Sequence, residues 1–500
     1  DMLGYDADFG VRQVGDNAYL EYFRWNTLNA DNYTIKIWWE WLYSWVYQAN
    51  VIIDRSESDL AKWTSDEEKN AIVGEAKFLR AFAYHFLANL WGGVPLVLTE
   101  TTSPRFDYQR ATQEAIYQQC KSDLEFAVQW MKNVGEVKGG RASRAAACHL
   151  LSEIYICLED YDGAINAASE VIDNSDLHLM TERFGVYKDF TFNGYDYLGA
   201  YEPWGDVYWD LFREGNMNRE DGNFEAIWNV EFDPTALGGG SDGGDYGGNF
   251  VLERQWGPAW WGINDIEGNW NWLKDTLGGR PISGITPTPY VTSDIWNFKG
   301  DWNKDIRNSK YNIQRTYYWT NPASPFFGQP MTVDNIGYSD KSMFIVPSFK
   351  KAVTCVHHGL SKDSESGQNH DNGRIFKDWY LMRLPETYLL RAEAYHRKGD
   401  NAHAANDINM IRNRAKATPV SPGEVDLDLI LDERARELYM EEFRLNTLTR
   451  MGKLTEYLMK YNTVVIVNGY NLSDHLNKFP IPQSEIEANK EAELEQNPGY

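Results

Sequence analysis

The chain has little cysteine, no long apolar run and a shortage of positive charge, and each deficit excludes something. Four cysteines in 500 residues, Cys120, Cys148, Cys157 and Cys355, do not make a disulfide framework, and none lies in a CxxC or Cys/His spacing suited to zinc. Cys148 and Cys157 fall nine residues apart on one expected helix, about 13 Å in rise, beyond the roughly 7 Å reach of a bridge. No stretch of about 18 apolar residues is free of charge, so no segment reads as a membrane-spanning helix. Lys and Arg number 48 against 73 Asp and Glu, a net charge of −25, which repels nucleic-acid backbones and anionic lipid headgroups. There is no GxSxG elbow, no HExxH and no GxxxxGK[ST] loop. The chain opens at Asp1 without an initiator Met or a signal segment and reads there as mid-domain.

Aromatic residues are abundant instead. Twenty Trp, 30 Tyr and 22 Phe make up 14% of a chain whose mean hydropathy is a polar −0.55. Eleven of the 20 Trp fall between residues 201 and 320. That concentration sets this part of the chain apart from the rest.

Helical periodicity is clear on both sides of it. Ser65 and Glu68 form a capping pair, apolar residues recur at three- and four-residue steps from Ile72 to Leu90, and Gly92, Gly93 and Pro95 end the run, predicting a helix over 66–91. Two helix hairpins follow, at 143–158 with 161–173 and at 385–398 with 401–416, each turning at an acidic or Gly-containing junction. Tyr155 precedes Ala164 by nine residues and Tyr395 precedes Ala404 by nine. Ala392 lies three before Tyr395, as Ala81 lies three before Tyr84. This is a tetratricopeptide-like pattern, in which small residues let helices approach and an aromatic fills the space between pairs. Because the pairs are not in tandem, an unbroken solenoid is not expected. Trp38, Trp39, Trp41 and Trp45, at helical spacing, are assigned to scaffold packing.

A helix is also predicted over 427–449, where the opposite charges of Asp432-Glu433-Arg434-Ala435-Arg436-Glu437 read as a solvated face. From about 174 to 377 periodicity fades and Gly and Pro become frequent, with short runs such as Ala226 to Val230 reading as isolated strands. The expected architecture is mainly α, a tetratricopeptide-like helix-pair scaffold at 37–175 and 378–450, a loop-rich insert with short strands at 176–377 and a C-terminal extension at 451–500, all within one domain.

The insert suits sugars, because pyranose C–H faces lie against flat aromatic rings while short polar side chains meet the hydroxyls. In Gln255-Trp256-Gly257-Pro258-Ala259-Trp260-Trp261-Gly262, flanking Gly and Pro are expected to expose the rings. Trp256, Trp260 and Trp261 are therefore candidate glycan contacts, with Trp270 and Trp272 further along. Carboxylates are plentiful there (Asp206, Asp210, Asp242, Asp245, Asp265, Glu267, Asp294, Asp301), yet nothing in the sequence says which pair converges as glycoside hydrolysis requires. Asp301-Trp302-Asn303-Lys304-Asp305 starts like a calcium loop but carries Ile306 and Asn312 where Gly and a bidentate Glu belong. It reads as a surface loop. His357-His358 reads as solvated loop histidines.

Five blocks in order resemble the SusD-like (RagB/SusD) outer-membrane glycan-capture lipoproteins. They are Gly74 to Ala81 with Trp91-Gly92-Gly93-Val94-Pro95-Leu96; Arg383-Leu384-Pro385-Glu386 through Arg391-Ala392-Glu393-Ala394, with Asn409 to Ala415; Glu433-Arg434 through Glu437-Leu438, with Glu442-Phe443-Arg444; Phe479 to Ile486; and Gln496 to Tyr500. The resemblance implies a SusD-like α-α superhelix of four tetratricopeptide-like pairs. It also implies surface exposure through a lipidated N-terminal Cys at the outer membrane and docking as a lid on a TonB-dependent, SusC-like barrel. The implied role is oligosaccharide capture without chemistry. The lipid-bearing Cys and the family's first helix are not in this chain, and Phe443 stands where Gly is usual. Ligand residues carried over by motif are Tyr246 in Asp245-Tyr246-Gly247-Gly248 and, more weakly, Tyr5, Asp8 and Phe9. No cofactor is expected, and a structural calcium is not readable. A peptide cargo for the same lid and a glycosidase stay open as alternatives. The −25 charge argues for a neutral cargo unless the insert holds a basic patch, for which Arg254 and Arg280 are the candidates.

Overall fold

A computed structural model describes residues 10–12, 25–192, 201–233, 236, 252–258, 263–271, 281, 283–337, 345–353 and 377–500. Helices dominate. In chain order they begin with α1 (Tyr33–Arg55), α2 (Asp66–Trp91), α3 (Gln113–Trp130), α4 (Arg144–Cys157) and α5 (Tyr161–Ile172). Each packs on the next, and α5 packs directly on the helix Leu384–Lys398, which pairs with Asn401–Arg414. The helix stack is therefore continuous in space although some 210 residues separate its two parts in sequence, which corrects the expectation of a broken solenoid. At this joint Ile156 and Ala164 meet Leu390 and Ala394, small residues allowing close approach as the repeat pattern requires.

The two hairpins turn alike. Asp160 accepts from Gly163 N–H at 2.9 Å and its own N–H donates to the Tyr155 carbonyl; Asp400 accepts from His403 N–H and donates to the Tyr395 carbonyl. The preceding residue is left-handed in both, Gly399 at φ 88° and Glu159 at φ 59°. The predicted helix at 66–91 is found with Ser65 accepting from Glu68 N–H. In α1, Trp38 and Trp39 are buried against Phe479 and Trp91 and Trp45 stacks on Phe82, but Trp41 is 41% exposed and so is not scaffold filling.

The C-terminal segment closes this stack at the end of α2. Trp91 Nε1 donates to the Pro480 carbonyl at 2.9 Å, Phe479 N–H to the Leu90 carbonyl at 2.7 Å, and Asn497 Nδ2 to the carbonyls of Trp91 and Phe479. The bonds to the Leu90 and Trp91 carbonyls satisfy acceptors that the helix end leaves open.

The predicted single helix over 427–449 is two, Leu427–Leu438 and Arg444–Arg450. The chain breaks at Tyr439–Phe443, with Met440 at φ 68°. Phe443 has a negative φ and packs on Phe82 and Phe86, so the position usually held by Gly needs none here.

Strands are short and paired antiparallel: Ala226–Val230 with Trp379–Arg383, Thr191–Phe192 with Glu202–Pro203, and Ile313–Gln314 with Ser348–Phe349. The less regular half has its own core, in which Tyr208, Phe212, Trp256, Tyr290, Trp296 and Tyr380 are buried.

Between that half and the scaffold lies a buried ion-pair network. Glu433, Arg434, Arg436 and Glu437 are all buried rather than solvated. Arg307 bridges Asp305 (2.6 Å), Glu433 (2.9 Å) and Glu437 (3.1 Å); Arg412 bridges Asp301 and Glu433, both at 2.8 Å; Arg383 joins Glu225, Glu437 and Glu441; Arg414 reaches Glu225 and Glu437. Arg436 adds a bond to Glu433 and Lys351 one to Glu441. Burial opposes ionisation of Glu437, but Arg414, Arg383 and Arg307 outweigh it and hold that carboxyl down at about 2.

Candidate functional site: an aromatic-walled cavity

Asp206 organises the site. Its carboxylate caps the short helix Val207–Asp210 by accepting from Trp209 N–H at 2.8 Å, and accepts from the Ser309 hydroxyl (2.8 Å) and Asn312 Nδ2 (3.1 Å). The turn 306–312 is thereby fixed beside Trp204 and Trp209. Burial raises the Asp206 carboxyl above its usual range, although those same donors oppose it. Gly205, at φ 100°, lets the chain pass the Trp209 ring: a Cβ there would sit 2.5 Å from Cε3.

The turn is tied to the scaffold as well. Ile306 N–H donates to the Ala415 carbonyl at 3.0 Å, Asp301 accepts from Arg412 and from the Thr418 backbone and hydroxyl, and Asp305 is held by Arg307. Asp301 and Asp305 are buried while Asn303 and Lys304 between them are exposed, so the expected surface loop 301–305 is at the surface but anchored at both ends by its acids. Asn308 Nδ2 donates to the Trp302 carbonyl at 2.8 Å and holds Trp302 at the rim.

What these anchors frame is a cavity of about 760 Å³ walled by Trp204, Trp302, Tyr311 and Tyr318, with Trp209 in its floor and Asn303, Gln314 and Thr316 among its polar groups. Trp204 meets Tyr311 edge to face at 5.0 Å, and behind it lies Phe192 at 5.2 Å. Lys310 Nζ stands 5.0 Å over the Trp204 ring and the Arg315 guanidinium 4.8 Å over Trp302. The Trp204 and Trp209 indole N–H groups, Gln314 Oε1 and Arg315 Nε are buried without a partner. Such a cavity can lay a ring-shaped, hydroxyl-bearing ligand on flat aromatic surface and meet its hydroxyls with the polar side chains of its lining. Among the described residues no cluster of acids, histidines and cysteines is placed to hold a metal ion.

The sequence candidates fall elsewhere. Trp256 is 1% exposed, set edge to face on Tyr439 at 5.4 Å in the core of the irregular half, which corrects the expectation that Gly257 and Pro258 expose its ring. Trp270 is 40% exposed and pairs by a single bridge with Asn264, but it does not line this cavity. Tyr5, Asp8, Phe9, Tyr246, Trp260, Trp261 and Trp272 lie outside the described residues, as do Cys355, His357 and His358. Trp204 and Trp302 belong to the Trp-rich stretch, yet nothing local singles them out; Tyr311, Tyr318, Lys310 and Arg315 carry no sequence signal at all.

A family model described as "SusD family" matches residues 224–500, and one described as "Starch-binding associating with outer membrane" matches 6–156. The chain belongs to the SusD family. Among curated relatives, a SusD-like protein of Formosa agariphila is 26% identical, covering 90% of this chain and 76% of that protein, and the starch-binding protein SusD of Bacteroides thetaiotaomicron is 25% identical over 91% and 78%. A solved laminarin-binding SusD-like protein superposes with a TM-score of 0.70 at 22% identity, covering 100% of this chain and 94% of that one; surface glycan-binding protein A from Bacteroides fluxus gives 0.69 at 19%, over 100% and 93%. The SusD-like, mainly helical fold expected from the sequence is thus found.

Proposed function

We propose that the protein captures oligosaccharides at the cell surface and passes them to a TonB-dependent, SusC-like outer-membrane barrel, binding them in the cavity walled by Trp204, Trp302, Tyr311 and Tyr318. The observation that carries this reading is that cavity, built on a SusD-family scaffold and held rigid by the Asp206 and Arg307 anchors. Relatives named for starch, laminarin and surface-glycan binding support it.

Binding without chemistry fits the carboxylates nearby. Glu202 pairs with Lys310, Asp305 with Arg307, Asp301 with Arg412 and Asp210 with Arg183, while Asp265 accepts from Ser324 and Asn269. A hydrolase would need one acid and one base free to face each other across a glycosidic bond. No helix among the described residues is long and apolar enough to cross a membrane, so attachment at the outer membrane would come from a lipid anchor and from the barrel. Affinity electrophoresis against a panel of plant, host and microbial polysaccharides tests the reading: retardation by a glycan, lost in Trp302→Ala, is expected. Co-purification of the barrel with the tagged full-length lipoprotein tests the delivery step.

A further inference from the structure

The charge of the cavity runs against the charge of the chain. In a protein of net −25, its lining contains five cations, of which Arg213 and Lys350 are buried and hold partners of their own while Lys304, Lys310 and Arg315 stand at its wall and rim, and two carboxylates, Glu202 and Asp305. Both carboxylates are already committed, Glu202 to Lys310 at 2.8 Å and Asp305 to the buried Arg307.

Arg315 is the informative member. Its hydrogen bonds all go to neutral groups: the Thr292 carbonyl at 2.8 Å, Asn308 Oδ1 at 2.5 Å and, weakly, the Asn308 carbonyl. Its Nε is buried and unpartnered, and no carboxylate among the described residues pairs with it. Burial pushes this guanidinium down to about 10, so it is still charged at neutral pH. A guanidinium held by neutral acceptors against an indole face, without its own counter-ion, is a built receptor for an anion. Lys310 sits at the rim over Trp204, and Lys304, largely exposed, lies 3.9 Å from Asp301.

Resting on the reading of this cavity as a glycan site, we propose that its ligand is an anionic glycan. A pyranose face would lie on Trp302 and Trp204, and a carboxylate or sulfate substituent would be received by Arg315, with Lys310 and Lys304 drawing the chain in. The cations of this cavity come largely from the turn 304–315; Arg280 and the side chain of Arg254, the sequence candidates for a basic patch, lie outside the described residues. The net charge of the chain then excludes bulk anion binding while the cavity admits an anion presented on a sugar ring, because the local field inside a concave wall is set by its own lining.

The test is affinity electrophoresis and isothermal titration of the whole chain against matched pairs: a polyuronate and its carboxyl-reduced form, a sulfated galactan and its desulfated form. Expected is binding of an anionic member, at least tenfold weaker for its neutral counterpart, weakening as salt rises, and reduced about tenfold or more by Arg315→Gln and by the exposed Lys310→Gln. Which pair responds tells carboxylate from sulfate. Circular dichroism of each variant separates loss of the site from loss of fold, and Lys310→Gln, at a rim position, stands in should Arg315→Gln not fold. Equal binding of neutral and anionic members, lost in Trp302→Ala, would overturn the anionic assignment and leave the glycan site standing. Binding by no glycan would overturn both, and displacement by inorganic sulfate as effective as by the saccharide would reduce the cavity to a simple anion site and overturn the proposal.

Discussion

The guanidinium of Arg307 lies 2.9 Å from a carboxylate oxygen of Glu433. Arg307 belongs to the short helical turn Ile306–Asn308, whose Asn308 holds the Trp302 carbonyl, and Glu433 to the helix Leu427–Leu438 of the scaffold. Both side chains are fully buried. This contact, with its neighbours Glu437, Arg412 and Asp301, is how a helical scaffold fixes the position of an aromatic wall in an otherwise irregular half. Buried charges of this kind carry a desolvation cost, and what they contribute is geometry more than net stability.

Removing one partner should be severe. Glu437 pairs with three arginines, so Glu437→Gln removes the charge on which three buried cations converge and should cost about 3–5 kcal/mol, read as a lower urea midpoint with an unchanged slope.

The same group predicts an acid transition. Its carboxyl titrates near 2 in the fold against an ordinary value of 4.5. A depressed carboxylate contributes stability that is fully present above its unfolded value and is lost as pH falls through the folded one. Stability should therefore drop between about pH 4.5 and pH 2. Thermal melts across that range should show a shallower decline in Glu437→Gln.

Trp256→Ala should destabilise the fold by about 3–5 kcal/mol, as expected for emptying a large buried site, while leaving the affinity of folded protein for a retained glycan unchanged. Melting curves and titrations on the same sample check both halves.

At the first hairpin turn Glu159 occupies a left-handed conformation that Gly399 fills in the second. Glu159→Gly should stabilise the protein by a few tenths to about 1 kcal/mol, since the side chain's steric cost there is removed. Gly205→Ala should do the reverse, because its Cβ meets the Trp209 ring, and should also weaken glycan binding by shifting Trp204. Denaturation midpoints of the two variants are expected to move in opposite directions.

Local features were legible in the sequence and long-range ones were not. Ser65, Asp160 and Asp400 mark helix starts through bonds within four residues, so spacing alone finds them. Phe479 to Tyr500 stood out as a motif, and its residues clamp the end of α2. The charges at 432–437, by contrast, have the same spacing whether solvated or buried; their burial depends on Arg307, Arg383, Arg412 and Arg414, which come from three other parts of the chain. Trp302 carries no local signal for the same reason, since the acids flanking it have the pattern of a polar loop and only their pairing with Arg412 and Arg307 buries them. The Gly and Pro neighbours of Trp256 point to an exposed ring, and a tertiary contact with Tyr439 decides its place.

The most direct test of the cavity as the binding site is isothermal titration of a retained glycan into the wild-type chain, Trp302→Ala and Trp270→Ala. Trp302 lines the cavity; Trp270, also solvent-accessible, does not. Loss of a stacking indole is worth about 1–2 kcal/mol, roughly tenfold in affinity. The expected result is a drop of that size or more for Trp302→Ala with Trp270→Ala unchanged; full affinity in Trp302→Ala, with binding lost in Trp270→Ala, would contradict it.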